Sequence, residues 1–592
     1  MVKKLAVSIY DFFKEYEVIK RLYLIICNFA KNQLINTMPK LPKLFIYLLG
    51  ILFVINLLQS YFTELIFDES YYWYYAQNMA WGYFDHPPMV ALLIKISSFL
   101  FKGELGVRFM SCVLSVGTLL FLWLLIDNPK KKDFIVHFFV LTCSMTLLNF
   151  YGFLTLPDTP FLFFTTVFLY IYKKFINAPS IGLSIALGLL MSALMYSKYH
   201  AVLVIIFVLL SNLKLVFNKY AWLAVAVSLL SYTPHLLWLY NNNFVSVKYH
   251  LFERPNRAYE FNDYTVGFFL NLLALFGFTF FWIYKALIKT KSKDLFNRAL
   301  LFLTYGTILF FFISSFNRRI QTQWVIIISI SLAVIAFNYI LENENARKWI
   351  FRMGLLNIAI LIFARFAIVF EQISPLPYES HGNKEWVSAI SEKVGDMPVV
   401  FENSYRNAPM YSFYSGNTSF SLNNVMYRRN QYSIDDSEAK VQHKKILYIA
   451  SNASSKEYPI QLPKKKTGYG TFITNFESFR KLRAILNEKE ISINNKENIN
   501  LKVYNPYPED IDQDKLKFSV VYHNQYKRPE QVVAISVTPK DKGLTILKAR
   551  DTTYYSFKLP AFTIDNPGYF KIAISENGLY PGMNGDNIKL LK

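Results

Sequence analysis

The sequence predicts a polytopic α-helical membrane protein that ends in an α/β plus β-rich region, and three observations predict it. Apolar runs of roughly 18 to 22 residues recur through the first 370 residues, the length a helix needs to cross about 30 Å of hydrocarbon. The chain of 592 residues is 53% hydrophobic and 18% aromatic, with a mean hydropathy of +0.24, more apolar than a soluble protein of this size. Beyond residue 370 the apolar runs shorten and polar residues rise, as in a water-exposed domain.

Eleven runs read as spans: 44–63, 105–126, 134–152, 159–176, 180–197, 199–217, 220–240, 265–286, 299–316, 324–341 and 349–370. This gives a membrane domain of about 11–13 transmembrane helices. The run 87–101, "PPMVALLIKISSFLF", is short and carries Lys95, so it reads as a helix lying along the outer interface. Lys40 and Lys43 put the start of the first span inside, and "DNPKKKD" at 127–133 and "KALIKTKSKDLFNR" at 285–298 then also fall inside. The segments 64–104, 153–158, 241–264, 317–323 and everything after 370 fall outside. The net charge of +22 is chiefly that of Lys and Arg beside the spans, facing anionic lipid rather than nucleic acid.

Residues 1–43 mix Lys, Glu and Asp through apolar residues and read as a cytoplasmic or interfacial amphipathic segment rather than a signal peptide. Residues 44–370 form the membrane domain. Residues 371–500 read as an extracytoplasmic α/β domain, with "MPVVF" and "KKILYIA" as strands and "EWVSAISEKV" and "FESFRKLRAIL" as helices. Residues 501–592 read as a β-rich appendage. Cys27, Cys112 and Cys143 lie in apolar segments and form no disulfide or zinc pattern.

The stretch "FDESYYWYYAQNMAWGYFDHPPM" at 67–89 follows the first span and crowds acids and rings at the outer boundary. On a helix Asp68, Tyr71, Tyr72 and Tyr75 share one face, while Glu69 points about 100° away. A carboxylate ringed by aromatics suits a general base for a sugar hydroxyl, because burial raises its pKa; the alternative is an interfacial aromatic belt. Asp85 and His86 precede Pro87 and Pro88, where a helix start and an imidazolium would hold phosphate. Asp158 in "LPDTP" either joins this face or caps the helix entered at Pro160. Lys198, Lys248, His250, Arg254, Arg257, Arg318 and Arg319 are further outer cations able to grip phosphate, with Arg254 and Arg257 in the Pro-broken "FERPNR" the stronger candidates.

The combination of "DESYYWYYAQNMAWGYFDHPPMVALLIK", "LGVRFMS", "LPDTPFLFF", "YSKYHAVL" and "PHLLWLYNNNF" resembles the GT-C membrane glycosyltransferases. Specifically, it resembles the dolichyl-phosphate-mannose protein mannosyltransferase-like superfamily, which includes the lipid A aminoarabinose transferases. The resemblance covers roughly residues 44 to 450, since "YRNAPMYSFYSG" and "YRRNQYS" also match. It implies the GT-C fold and inverting transfer of a sugar from a polyprenyl-phosphate donor to a glycolipid, polysaccharide or protein on the outer face of a bacterial inner membrane. It further implies catalytic Asp68 with its partner Glu69, and Asp158 as the second acidic position. Tyr71, Tyr72, Tyr75, Asp85, His86, Lys198, Arg254 and Arg257 are the expected substrate-binding residues. Members of the aminoarabinose type carry Lys where this chain has His86. No metal site is indicated, although carboxylates can recruit a divalent cation. A flippase of lipid-linked glycan is the competing reading; it would show paired halves and mid-bilayer polar residues, whereas the unusual polar residues of this chain gather on one face.

Overall fold

The computed structural model describes residues 41–592 except 293, 452–457, 463–465, 542 and 592. The expected amphipathic segment, and Cys27 with it, lies almost wholly outside the described residues.

The membrane domain opens with α1 (Lys43–Phe62), followed by α2 (Phe67–Gln77), α3 (Met89–Leu100) and α4 (Gly103–Leu125). Next come α5 (Ile135–Cys143), α6 (Thr146–Phe150), α7 (Asp158–Asn177), α8 (Ile181–Ser197), α9 (Ala201–Ser211) and α10 (Lys219–Asn241). A short α11 (Val245–Lys248) runs into one π-helical turn, Tyr249–Glu253. The domain closes with α12 (Gly267–Ala274), α13 (Phe280–Lys289), α14 (Leu295–Ser314), α15 (Ile328–Glu342) and α16 (Glu344–Ala367).

Among the described residues five helices are long and apolar enough to cross a membrane: α1, α4, α10, α14 and α16. A sixth span arises if Asn262–Ala274 and Gly277–Lys289, which meet at 94°, count as one. The exposed faces of these helices are apolar: Leu44, Ile51, Val54 and Leu58 on α1, and Leu229, Leu230 and Leu237 on α10. Such a belt is costly in water and natural in lipid.

Of the remaining expected spans, 159–176 is the unbroken 20-residue α7, and the others are helical but shorter or broken, for identifiable reasons. Run 134–152 divides into α5 and α6, where the Asn149 amide donates to the Cys143 carbonyl at 2.8 Å and the Thr146 N–H to the Leu275 carbonyl at 3.0 Å. The break is tolerated because its backbone groups find partners inside the protein. In α15 every residue from Ile328 to Phe337 is buried, so protein surrounds it and hydrocarbon thickness does not set its length. α3 has 12 residues, about 18 Å of helix, too short to span. It buries Val90, Ala91 and Ile94 and exposes Leu92, Ile96 and Phe99, which suits the expected interfacial position.

The C-terminal region holds two kinds of sheet. The first has strand order β2-β1-β3-β5-β4, formed by β1 (Val399–Glu402), β2 (Ser419–Leu422), β3 (Lys444–Ala450), β4 (Tyr458–Leu462) and β5 (Lys466–Phe476). β1 pairs in parallel with β2 and β3, and β5 pairs antiparallel to β3. Helices α17 (Asn383–Val394) and α18 (Asn407–Ser415) connect into it. The strands after Phe476 make antiparallel-dominated sheets around a separate core that begins at Phe479.

This moves the expected boundary at residue 500 back to about residue 477. "FESFRKLRAIL" is not a helix: its end is β6 (Arg483–Ile485), which pairs not with the next strand, β7 (Glu490–Ser492), but with β8 (Ile499–Tyr504). Its apolar residues satisfy a strand edge as well as a helix face, and pairing with β8 decides between them.

The α/β domain does not stand apart from the membrane domain. One buried cluster joins Leu65, Tyr71, Tyr75, Val90 and Ile94 to Trp386, Phe401, Met410, Tyr411 and Tyr432. Thus α2, the helix carrying the unusual acids, is the floor of the α/β core. Specific polar contacts fix the register: the Tyr74 hydroxyl donates to Asp435 at 2.7 Å, and the Phe84 N–H to the Gln431 side chain at 3.0 Å.

Candidate active site

The described residues enclose a cavity of about 710 Å³ where α2, the loop before α3, the starts of α7 and α9, the π-turn and the α/β domain converge. Asp68, Tyr71, Tyr72, Asp85, His86, Asp158, Lys198 and Arg254 line it, as do His250, Arg318, Tyr405 and Arg428.

Asp68 and Glu69, adjacent in sequence, have opposite surroundings. Asp68 faces the cavity, and no hydrogen bond to its carboxylate is found among the described residues. Burial raises its pKa above the ordinary carboxylate range, only partly opposed by Arg406 and Arg428. Glu69 is wholly buried and lies outside the cavity lining. Arg108 grips it through Nε at 2.8 Å and Nη2 at 2.5 Å. Glu69 also accepts the Ile66 N–H at 3.2 Å and the Thr155 N–H at 2.9 Å. Its four acceptor directions are filled, so it has no lone pair to offer a substrate. Against the expectation of a catalytic Glu69, the carboxylate lies outside the cavity, where it ties the start of α2 to the loop that delivers Asp158.

Asp158 is the first residue of α7 and does not cap it; Pro157 stands at the cap. Its carboxylate accepts from Lys198 Nζ at 2.6 Å, with both side chains buried, and both line the cavity. Lys198 gives a second hydrogen bond to the Gln323 carbonyl at 3.2 Å.

Asp85 is held by Arg428, whose Nη atoms lie 2.9 and 3.2 Å from its two oxygens. It also accepts from the hydroxyls of Tyr71 at 3.0 Å and Tyr75 at 3.4 Å. Burial would raise the Asp85 pKa, but the Arg428 guanidinium paired with it outweighs burial and holds the carboxyl below its ordinary value. Tyr75 itself lies outside the lining; its ring stacks on Tyr83 with centroids 4.2 Å apart, so it supports Asp85 from behind the cavity.

His86 corrects a second expectation. Burial drives its pKa down to about 3, with Asp85 opposing and His250, Lys198 and Arg428 adding to the fall. That favours a neutral imidazole in the donor-free protein and leaves Lys198, Arg254, Arg318 and Arg428 as the cavity's cations. Nor does the α3 N-terminus line the cavity, because Pro87 and Pro88 are packed away. In a histidine-selective NMR titration of donor-free protein, His86 should stay neutral down to about pH 5, well below the ordinary midpoint near 6.5. A midpoint between pH 6 and 7 would refute this environment.

Arg254 lies over the Trp324 ring at 5.8 Å and faces the cavity. Arg257 does not line it; it belongs to a neighbouring pocket. Lys248 and Arg319 are likewise absent from the lining.

Contacts behind the cavity hold the loop 78–88 in place. His235 Nδ1 bonds the Trp81 carbonyl at 2.6 Å while its Nε2 meets the Tyr199 hydroxyl at 3.2 Å. Gly82 lies against Trp238, where a Cβ would come within 2.3 Å of the ring. After α10 the chain reverses through Asn243 and Phe244, both with positive φ. The π-turn then aims His250, which donates to the Asp85 carbonyl at 3.0 Å.

Sequence reasoning does not assign Arg428, Tyr405, Arg406, Tyr151, Tyr199 or Trp324. Tyr405 and Arg428 sit inside "YRNAPMYSFYSG" and "YRRNQYS", yet no local spacing links residue 428 to residue 85. Among the described residues no group of three or more His, Cys, Asp or Glu side chains is placed to hold a metal ion.

Residues 85–238 match the family model described as dolichyl-phosphate-mannose-protein mannosyltransferase. The chain is 21% identical over 305 residues to the lipid A galacturonosyltransferase RgtD of Rhizobium johnstonii, covering 46% of this chain and 60% of that protein. The fold matches crystal structures of ArnT from Cupriavidus metallidurans, in the apo state and bound to undecaprenyl phosphate. Each superposes with a TM-score of 0.51 at 12% identity, over 72% of this chain and 97% of ArnT.

Proposed function

We propose that this chain, an integral membrane protein with the fold of the GT-C glycosyltransferases, moves a sugar from a polyprenyl-phosphate donor to an acceptor at the extracytoplasmic face. The observation that carries the reading is an ionisable carboxylate without fixed hydrogen bonds, Asp68, sharing one cavity with Lys198, Arg254, Arg318 and Arg428. A base and a cationic phosphate cradle are what this transfer requires.

The step balances with these groups. The acceptor hydroxyl oxygen bonds to the anomeric carbon while Asp68 takes its proton. The bond from that carbon to the phosphate oxygen breaks, and polyprenyl phosphate leaves as a monoester dianion. A leaving phosphate needs no proton but gains charge, so the cations stabilise the transition state more than the ground state. A single displacement inverts the anomeric centre. Tyr71, Tyr72 and Tyr405 supply rings for the sugar.

The direct test incubates purified protein with undecaprenyl-phosphate sugars and an envelope lipid extract, and follows products by mass spectrometry. Transfer that stops with the Asp68→Asn variant supports the reading; bidirectional movement of intact donor across vesicles without transfer would point to a flippase.

The proposed orientation puts the cavity and the C-terminal region outside the cytoplasm of a bacterial inner membrane. In a cysteine-free background, Arg257→Cys and Tyr580→Cys should react with an impermeant maleimide in intact spheroplasts, and Lys130→Cys only after lysis. All three positions are exposed, which suits labelling; Tyr75 and Asn430 are buried and would stay silent on either side. Labelling in the reverse order would invert the orientation.

A further inference from the structure

Beside the catalytic cavity lies a second pocket of about 660 Å³, lined by Arg254, Arg257, Arg318, Arg319 and Arg528. We infer that it receives the anionic headgroup, phosphate or carboxylate, of an amphiphilic acceptor. This rests on the transferase reading above and names the acceptor class for it.

Three features point there. The five arginines share the pocket's lining with a single carboxylate, Asp263, and none forms an ion pair among the described residues. Five unneutralised cations in one concavity repel one another, and an anion relieves that while guanidinium forks match phosphate and carboxylate geometry. On a face where loops are normally poor in Lys and Arg, such a cluster is not explained by membrane topology.

The pocket is also built by two domains. Arg528 comes from the β-rich region and donates through Nε to the Asn256 carbonyl at 2.8 Å, while the Asn256 N–H bonds the Tyr526 carbonyl at 3.0 Å. The appendage thereby completes a wall of the site and gains a role the transfer chemistry alone does not give it.

Finally, the two pockets communicate and one side is greasy. Both are lined by Arg254, Arg318, Gln321, Gln323 and Trp324. Leu270 forms part of the arginine pocket's wall, and with Phe269 and Leu273 it leaves an exposed apolar strip along α12. A molecule with a charged head and an acyl tail can lie along that strip with its head among the arginines and a hydroxyl directed towards Asp68.

The test uses full-length protein in phosphatidylcholine nanodiscs, with inorganic pyrophosphate as the probe and calorimetry as readout. Pyrophosphate should bind with undecaprenyl phosphate already saturating, because the donor occupies the other cavity. Arg257→Gln with Arg528→Gln should weaken it at least about tenfold, and the Arg257→Lys, Arg528→Lys pair should weaken it less. Displacement of pyrophosphate by undecaprenyl phosphate would assign the arginines to the donor and overturn the proposal. So would loss of binding in nanodiscs containing phosphatidylglycerol, which would mark a general lipid-headgroup site, and so would unchanged affinity in the Gln pair. Undecaprenyl phosphate failing to bind at all would instead overturn the transferase reading and the acceptor assignment with it. Failure of the pocket itself is distinguishable, because then pyrophosphate does not bind.

Discussion

Asp68→Asn should lower sugar transfer by about 10²- to 10⁴-fold, the usual contribution of a general base, while the protein stays folded and inserted. The substitution is nearly isosteric, and no hydrogen bond to the Asp68 carboxylate is found among the described residues to be lost. The deficit should therefore appear in kcat with little change in donor KM. The pH dependence gives an independent check. Asp68 works as a base only when ionised, and its pKa is raised by burial. Activity should fall as pH drops through a midpoint above the ordinary value of about 3.9. Arg406 is the largest charge holding that pKa down, so Arg406→Gln should move the limb to higher pH. A limb that ignores Arg406, or full turnover by the Asn variant, would refute the assignment.

The second large effect concerns stability. Arg108→Ala should destabilise the protein by about 3–5 kcal/mol, the scale for stranding one member of a buried ion pair. Arg108 serves more than Glu69: it also donates to the carbonyls of Ser60 at 3.1 Å, Thr63 at 2.5 Å and Glu64 at 3.0 Å. These carbonyls end α1, so the guanidinium joins the first span to the start of α2. Glu69→Gln should also destabilise, and Arg108→Met with Glu69→Leu should recover part of the combined loss, because no charge is then left unpaired. Thermal unfolding in detergent, followed by tryptophan fluorescence, reads all four proteins. If Glu69→Gln unfolds like wild type yet loses kcat as Asp68→Asn does, Glu69 is a catalytic residue and not a positioning one.

These two results separate neighbours that sequence treats alike. The pair Asp68–Glu69 is visible as a motif, and helical geometry already turns the two side chains about 100° apart. Which of them meets solvent depends on what lies on each side. Arg108 comes from a helix 39 positions later in the chain, and periodicity carries no information about such a partner. Local pattern likewise leaves Asp158 open between capping α7 and facing the cavity. The geometry at Pro157 and the reach of Lys198 decide it.

The class of the protein and most of its helical segments are legible in the chain alone. Those features follow from local quantities: apolar length against bilayer thickness, and side-chain spacing along a helix. Asp68, Asp158, Lys198 and Arg254 are legible too, because each stands at a helix end or in a loop crowded with rings and charges. Long-range packing, by contrast, buries His86, pairs Glu69 with Arg108 and brings Arg428 from a different domain to Asp85. It likewise moves the domain boundary to about residue 477, where pairing with β8 outweighs a helical pattern. The physical reason is common to these cases. A pKa, an ion pair or a strand pairing is set by groups distant in the chain, and burial amplifies each such contact beyond any local preference.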